Sequence, residues 1–241
     1  MTGQPDEPGV AAAAAAALEL VHDGATLGLG TGRAASLFIA LLGARARQGL
    51  HVSGVATSYD SARLATAVGI PLVDLGEELE LDLTVDGADE VAPNLDLVKG
   101  WGGALVRERI VAAASRRQVI IVGAGKLVKH LGERGRIPVE VIPLARGPAL
   151  RRLRALELVP AVRAAPDGAG PFQTENGNLI LDCAPVHPLG SPEVARALDA
   201  AIRLIPGVVD TGLFLGTAER VLVGRSDGRV DTLLRSAGPD G

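Results

Sequence analysis

The chain has 241 residues, of which 47% are hydrophobic and 2% aromatic, so its length suits one large domain, or one domain with a smaller insert, around an aliphatic core. Its formal net charge of −4 argues against binding to nucleic acid, which uses a surplus of basic residues. The single cysteine, Cys183, excludes an internal disulfide and a zinc site of the CxxC type.

The first predicted element is a helix built on the alanine run 11–17, which we expect to end near Asp23 and Gly24. A signal peptide would have Lys or Arg before its apolar stretch, but neither residue precedes this run. No stretch is long and apolar enough to span a bilayer. We therefore expect a cytoplasmic protein that does not enter the membrane.

Short apolar runs then alternate with helical patterns, which predicts an α/β protein with a parallel sheet covered by helices. The expected strands are residues 25–29, 51–56, 71–75, 81–85 and 118–122, and the expected helices are 34–50, 58–68 and 103–115. From residue 138 the rhythm changes to strand 138–143, helix 145–156, strand 178–182 and helix 192–204. This block predicts a compact α+β unit that precedes the last strands of the main sheet, 212–215 and 220–223.

The turn after the first predicted strand is rich in glycine and leads directly into a helix (residues 30–34, GTGRA). Glycine lets backbone N–H groups approach an anion, and the start of a helix adds partial positive charge, so this turn is a candidate phosphate loop. A tight turn without a ligand is one alternative. A dinucleotide site is another alternative. It is disfavoured, because such a site has an acidic residue at the end of the second strand, where this chain has Ala56, Thr57 and Ser58.

Three carboxylates, Asp86, Asp89 and Glu90, follow the predicted strand 81–85 at its carboxyl end, where open parallel sheets bind ligands. Because three negative charges in five residues repel one another, we expect that folding alone does not select them. A solvated acidic turn or helix cap is the alternative.

Glycines surround Lys99 in the segment KGWGG, and Glu108 follows early in a predicted helix. A lysine near a carboxylate in a partly dry pocket can stabilise an oxyanion and move a proton. A glutamate in this position more commonly pairs with a surface arginine, here Arg107 or Arg109. Its combination with the acidic segment 86–90 favours a catalytic role.

Six segments resemble, in order and spacing, the type A ribose-5-phosphate isomerases: GLGTG (28–32), TVDGADEV (84–91), KGWGGALVRER (99–109), PVEVIP (138–143), TENGNLILD (174–182) and IPGVVDTGLF (205–214). The resemblance implies a Rossmann-like main domain, residues 1–132 and 207–241, with a small α+β domain inserted at residues 133–206. It implies an aldose–ketose isomerase of the non-oxidative pentose phosphate pathway, which interconverts D-ribose 5-phosphate and D-ribulose 5-phosphate through a cis-enediol(ate). It also implies that no metal or other cofactor is used, and that the protein is a homodimer or homotetramer.

Carried onto this chain, the resemblance implies that Glu108 moves the proton between C2 and C1 while Asp86 assists ring opening. It implies that Asp89 holds substrate hydroxyls and that Lys99 stabilises the oxyanion. The substrate-binding residues that it implies are Gly30, Thr31, Gly32, Arg33, Ala34, Gly87, Ala88, Gly100, Trp101, Gly102 and Lys126.

The chain departs from the family pattern where the phosphate would bind. Residues 30–34 read GTGRA instead of GTGST, residues 123–126 read GAGK instead of DASK, and Trp101 replaces a glycine. Arg33 therefore either replaces two lost hydroxyls or points to solvent. An isomerase of a modified or different pentose phosphate is the alternative function. A sugar-phosphate-sensing regulator is less favoured, because it would not need the carboxylates and the lysine.

Overall fold

The computed structural model describes residues 7–235. The α-helices in this range are α1 (Glu7–Leu18), α2 (Arg33–Ala46), α3 (Tyr59–Ala67), α4 (Leu105–Ala113), α5 (Arg146–Ala155) and α6 (Pro192–Arg203), with short 3₁₀ turns at Ala124–Lys126 and Pro143–Ala145. Of these helices, none combines the length and the hydropathy needed to cross a membrane.

The strands of the described range are β1 (Ala25–Leu29), β2 (Val52–Ala56), β3 (Leu83–Asp86), β4 (Glu90–Val91), β5 (Leu97–Val98), β6 (Gln118–Gly123), β7 (Ile137–Val141), β8 (Leu158–Val162), β9 (Leu179–Pro185), β10 (Val208–Thr211), β11 (Leu213–Phe214), β12 (Arg220–Gly224) and β13 (Val230–Leu234). They form three sheets, which belong to two compact units of the chain.

The first unit, formed by described residues 7–88, 107–126 and 216–235, carries the predicted parallel sheet. Its strand order is β13-β12-β6-β3-β1-β2, and all neighbours are parallel except the hairpin of β12 and β13 at one edge. Chain order reverses at β1, because β2 lies on one side of it and β3 on the other. In open α/β sheets, such a reversal marks the crevice in which ligands bind.

Helices cover both faces of this sheet. In β1, Leu27 and Leu29 are fully buried in a core with α1 and α2, while Gly28 faces the other side, where a Cβ would lie 2.6 Å from Cγ1 of Val111 in α4. Such close packing of a strand against α4 needs glycine. The predicted fold class, a parallel sheet flanked by helices with a smaller α+β part, is confirmed.

The second unit, residues 89–106 and 127–215, contains two antiparallel sheets. Strands β10-β7-β9-β8 pack against α5 and α6 around an aliphatic core, and β11-β5-β4 form a small separate sheet. The unit contains the whole predicted insert, 133–206, and extends beyond it, because β10 pairs with β7 and β11 pairs with β5. Whether residues 133–206 are a separate inserted domain stays a prediction.

Several predicted elements differ from the structure. The first helix ends at Leu18 instead of near Asp23, and the chain continues in tight turns. Residues 71–75 are not a strand, since they contact β2 only through a bridge between Leu72 and Gly54. The predicted last strand 212–215 does not join the main sheet, because β11 pairs with β5 instead. Strands β4, β5, β8, β10 and β13 were not predicted.

Cys183 lies in β9 and is fully buried in the core of the second unit. Burial raises the pKa of its thiol strongly, because the low-dielectric core disfavours the thiolate. We therefore expect the native protein to react with a thiol reagent such as DTNB at least about 100-fold more slowly than the guanidinium-unfolded chain, since only the exposed thiolate reacts. Labelling of the native protein at the unfolded rate would contradict this burial.

Candidate active site

Three loops of the first unit meet at the carboxyl edge of its sheet. The adjacent parallel strands β1, β3 and β6 lead into residues 30–34, residues 86–88 and the 3₁₀ turn that ends at Lys126. Because parallel strands end at the same edge, the candidate phosphate loop, the start of the acidic segment and Lys126 all lie on this edge. The sheet thus brings together the residues that the sequence placed there.

Asp86 is the last residue of β3, and its carboxylate is completely buried. Its Oδ1 accepts hydrogen bonds from the backbone N–H groups of Thr31, at 3.0 Å, and Gly87, at 2.7 Å. Gly30 makes this arrangement possible, because a Cβ there would lie 2.2 Å from the same oxygen. The carboxylate therefore fixes the candidate phosphate loop relative to β3.

Hydroxyl groups hold the loop from its other side. Thr31 and Thr57 are linked through their hydroxyls at 2.6 Å, and the hydroxyl of Thr57 donates to the carbonyl of Leu29. The hydroxyl of Ser61 donates to the carbonyl of Gly30 at 2.5 Å. The sequence analysis did not identify Thr57 and Ser61 as residues that support the loop. The small hydroxyl residues that follow β2, where a dinucleotide site would have an acidic residue, could have indicated this role.

The loop ends at Gly32, whose φ of 91° lies in a region that side chains rarely adopt. As the N-cap of α2, Gly32 has no side chain with which to bond the first N–H groups of the helix, and the first turn contains no acidic residue. Arg33 begins α2 and is exposed, and Ala34 is half-buried behind it. This helix start places backbone N–H groups, with their partial positive charge, beside an exposed arginine, an arrangement that suits an anion.

Glu108 lies in the first turn of α4 and is 4% exposed. The carboxyl end of α4 lies beside the residues that lead into β3, since the N–H of Leu81 donates to the carbonyl of Ala114 at 2.8 Å. Helix α4 therefore runs in the opposite direction to β3. Val111, one helical turn after Glu108, packs against Gly28. Gly28 pairs with Thr84 of β3, so Val111 and Thr84 lie at the same height along the strands. A step of three helical residues rises about 4.5 Å and a step of two strand residues about 6.6 Å.

The step from Val111 to Glu108 along α4 and the step from Thr84 to Asp86 along β3 both lead toward the carboxyl edge of the sheet. Asp86 faces the same side of the sheet as Thr84, because strand side chains alternate, and Glu108 shares a helix face with Val111. From this geometry, we expect both carboxylates to lie near the carboxyl edge of the sheet, on the side that α4 covers. The predicted alternative for Glu108, an exposed residue paired with a surface arginine, is wrong, because the side chain is buried.

The remaining predicted residues belong to the second unit. Lys99 follows β5 and is 2% exposed, with its Nζ 5.6 Å from the centre of the Phe214 ring. Its backbone N–H donates to the carbonyl of Gly212. Because the aliphatic stem is enclosed and the ammonium faces an aromatic ring, the lysine is held in a defined position.

Asp89 and Glu90 each bond to the backbone of another segment of the second unit. Oδ2 of Asp89 accepts from the N–H of Trp101 at 2.9 Å, so this carboxylate anchors the segment after Lys99. Glu90 is fully buried and accepts from the N–H groups of Gly132 and Arg134 at 2.6 and 2.8 Å. Burial raises the pKa of Glu90 against the opposing effect of these bonds. The expectation that folding does not select these carboxylates is wrong for Glu90, which ties a loop to β4.

Trp101 is held within the second unit by Arg136. Its indole N–H donates to the Arg136 carbonyl at 3.0 Å, and the Arg136 guanidinium lies 4.3 Å from the ring centre. Gly100, directly before the tryptophan, has a φ of 98°, which favours glycine, and Gly102 after it is exposed. Sequence reasoning missed Arg136, since no motif connects it with Trp101.

Within residues 7–235, no three His, Cys, Asp or Glu side chains lie together in a way that could hold a metal ion. The charged side chains predicted for the site that belong to the first unit are those of Arg33, Asp86, Glu108 and Lys126.

Comparisons with known proteins agree on one family. The family model for ribose 5-phosphate isomerase A (phosphoriboisomerase A) matches residues 53–228. The ribose-5-phosphate isomerase A of Gloeobacter violaceus is 48% identical over 228 residues, which cover 94% of this chain and 96% of the relative. The protein of the same name from Deinococcus radiodurans is 45% identical over 218 residues, covering 90% and 93% of the two chains.

Solved structures agree with the sequence matches. Ribose 5-phosphate isomerase A from Methanocaldococcus jannaschii has a TM-score of 0.88 and 40% identity, and the match covers 96% of this chain and all of that one. A D-ribose-5-phosphate isomerase in complex with phospho-erythronic acid has a TM-score of 0.89 and 35% identity, covering 95% and 99% of the two chains.

Proposed function

Because the chain belongs to the ribose 5-phosphate isomerase A family, we propose that it interconverts D-ribose 5-phosphate and D-ribulose 5-phosphate. The observation that carries the proposal is the pair of buried carboxylates, Asp86 at the end of β3 and Glu108 in the first turn of α4, with Asp86 bonded to the candidate phosphate loop. The phospho-erythronic acid complex of a relative supports a phosphorylated sugar as the ligand.

In the proposed reaction, the open-chain aldose loses its C2 proton to the Glu108 carboxylate, and the electron pair forms the C1–C2 double bond of a cis-enediolate. Glu108 returns the proton to C1, and a proton moves from the O2 hydroxyl to O1, which leaves the ketose. A base held out of bulk water suits this transfer, because the abstracted proton then stays with the base. The burial of Glu108 supports its assignment.

Lys99 stabilises the negative charge that develops on the carbonyl oxygen. A fixed ammonium in a buried position is effective there, since it needs no reorganisation as the charge forms. Asp86 assists opening of the furanose ring. Asp89 holds substrate hydroxyls, and its bond from the N–H of Trp101 fixes its orientation.

The proposal assigns the phosphate to residues 30–34, with Lys126 as a second cation. The glycine N-cap of α2 and the exposed Arg33 support this assignment. Gly87 and Ala88 are small residues, which leave room for the substrate beside Asp86, and Gly100, Trp101 and Gly102 contact the sugar. The family match favours this reading over a sugar-phosphate-sensing regulator.

A different pentose phosphate is the alternative substrate, because the phosphate loop carries Arg33 and Ala34 where the family pattern has two hydroxyl residues. We also propose that the protein works in the cytoplasm as a homodimer or homotetramer. The free thiol of Cys183 is compatible with a reducing compartment.

We expect the purified protein to convert ribose 5-phosphate to ribulose 5-phosphate, with turnover unchanged by EDTA. Parallel assays on ribose and on other pentose phosphates test the substrate assignment. Loss of activity in EDTA that a divalent ion restores would contradict the metal-free mechanism, and a strong preference for another pentose phosphate would support the alternative substrate.

Replacing the proposed base should stop proton transfer while preserving the fold. Glu108→Gln keeps the shape of the side chain but removes the base, so kcat should fall about 10²–10⁴-fold. Glu193→Gln is the matched control, since Glu193 lies in the first turn of α6 and is exposed. Near-normal kcat in Glu108→Gln would assign the proton transfer to another residue.

Arg33 should contribute mainly to binding of the phosphate. A guanidinium makes charge-assisted, bidentate hydrogen bonds to phosphate oxygens, so Arg33→Ala should raise KM for ribose 5-phosphate by about 10–100-fold. Arg45→Ala, at the other end of α2, should leave KM unchanged, because Arg45 is engaged with Glu19. An unchanged KM in Arg33→Ala would mean that the arginine points to solvent.

A further inference from the structure

We propose that Arg163 is a positioning residue for the segment that carries Lys99, a role to which no motif of the sequence points. Arg163 directly follows β8 in the second unit, and its side chain is 11% exposed. The kinetic part of this inference rests on the proposed function, whereas its structural part stands without it.

The guanidinium of Arg163 divides its donors between two targets. Nε and Nη2 donate to the two oxygens of Asp182 at 2.9 and 2.5 Å. Nη1 donates to the carbonyls of Gly100 and Trp101, each at 3.0 Å. A single, largely buried side chain therefore joins β9 to two successive peptides that begin one residue after Lys99.

These two peptides determine the path of the segment. The C=O and N–H of one peptide point in opposite directions, so the peptide between Gly100 and Trp101 directs its carbonyl to Arg163 and its N–H to Asp89. A cation and a carboxylate thus hold this peptide from opposite sides. The next peptide also directs its carbonyl to Arg163, which turns the N–H of Gly102 away from the guanidinium.

Arg163 is itself held rigidly. Its N–H donates to the carbonyl of Ile180, and its carbonyl accepts from the N–H of Phe172. Phe172 packs against Gly103, where a Cβ would lie 2.5 Å from the ring. The segment 99–103 is therefore fixed at its start by the bond from Lys99 to Gly212, in its middle by Arg163 and Asp89, and at its end by Phe172.

Only an arginine satisfies this arrangement. The planar guanidinium presents several donors in a fixed fork, whereas the lysine ammonium is a single point of charge on a flexible stem. Without Arg163, the two carbonyls lose their charged donor and the segment gains freedom. Since Lys99 precedes these carbonyls directly, we expect its ammonium to be less well positioned for the oxyanion.

The experiment compares Arg163→Gln with Asp182→Asn. Both variants break the ion pair between Arg163 and Asp182 in β9, so both should lower the melting temperature. Only Arg163→Gln removes the bonds to the carbonyls of Gly100 and Trp101. We expect kcat to fall about 10–100-fold in Arg163→Gln, with KM changing less than about threefold, while Asp182→Asn stays within about threefold of the wild type in both.

A second readout needs no substrate. Trp101 is the single tryptophan of the chain and lies in the segment that Arg163 holds. Acrylamide should therefore quench its fluorescence more strongly in Arg163→Gln than in the wild type or in Asp182→Asn. If the wild type proved inactive on ribose 5-phosphate, the proposed function would fail, and the quenching comparison would still decide whether Arg163 holds the segment.

Arg163→Lys keeps the charge and protects the test against misfolding of the glutamine variant. We expect this variant to retain most of the stability but to show the low kcat and stronger quenching of Arg163→Gln. Wild-type kcat and quenching in Arg163→Lys would overturn the proposal, because charge alone would then suffice. Equal losses in Arg163→Gln and Asp182→Asn would also overturn it, because they would reduce Arg163 to a partner of Asp182.

Discussion

The contact on which the first unit's site depends is the one between the Asp86 carboxylate and the backbone of the loop after β1. A completely buried carboxylate is costly unless it is hydrogen-bonded, and here the N–H groups of Thr31 and Gly87 bond to it. The same contact joins the ends of two neighbouring strands at the point where the chain order reverses. One residue thus links the acidic segment to the candidate phosphate loop, and its carboxylate occupies the space that a side chain at position 30 would need.

In the second unit, charged side chains likewise hold a glycine-rich segment of backbone, the one that follows Lys99. Lys99 lies directly before glycines, which are the residues least able to hold a chain in one conformation. The structure compensates with charged side chains that bond to the backbone: Asp89 to an N–H and Arg163 to two carbonyls. A glycine-rich segment can therefore coexist with a well-positioned lysine.

The position of a polar residue in the sequence does not by itself show whether the residue serves the fold or the site. Glu90 belongs to the acidic segment, yet it bonds to the N–H groups of Gly132 and Arg134 and holds a loop. Thr57 and Ser61 belong to no motif, yet they bond to the candidate phosphate loop and hold it. A segment's composition identifies where polar groups are concentrated, whereas the partner of each group decides whether it serves folding or chemistry.

The sequence by itself determined the alternation of strands and helices in the first unit, the glycine-rich turn and the positions of Asp86, Lys99 and Glu108, because each depends on local pattern or motif. It did not determine which strands share a sheet. Strand β11 looked like part of the main sheet and pairs with β5 instead, and β13 was missed at the edge, because hydrogen-bond partners of a strand lie far away in the chain. For the same reason, only the tertiary structure decided that Glu108 is buried and that Arg163, more than 60 residues from Gly100, holds the segment after Lys99.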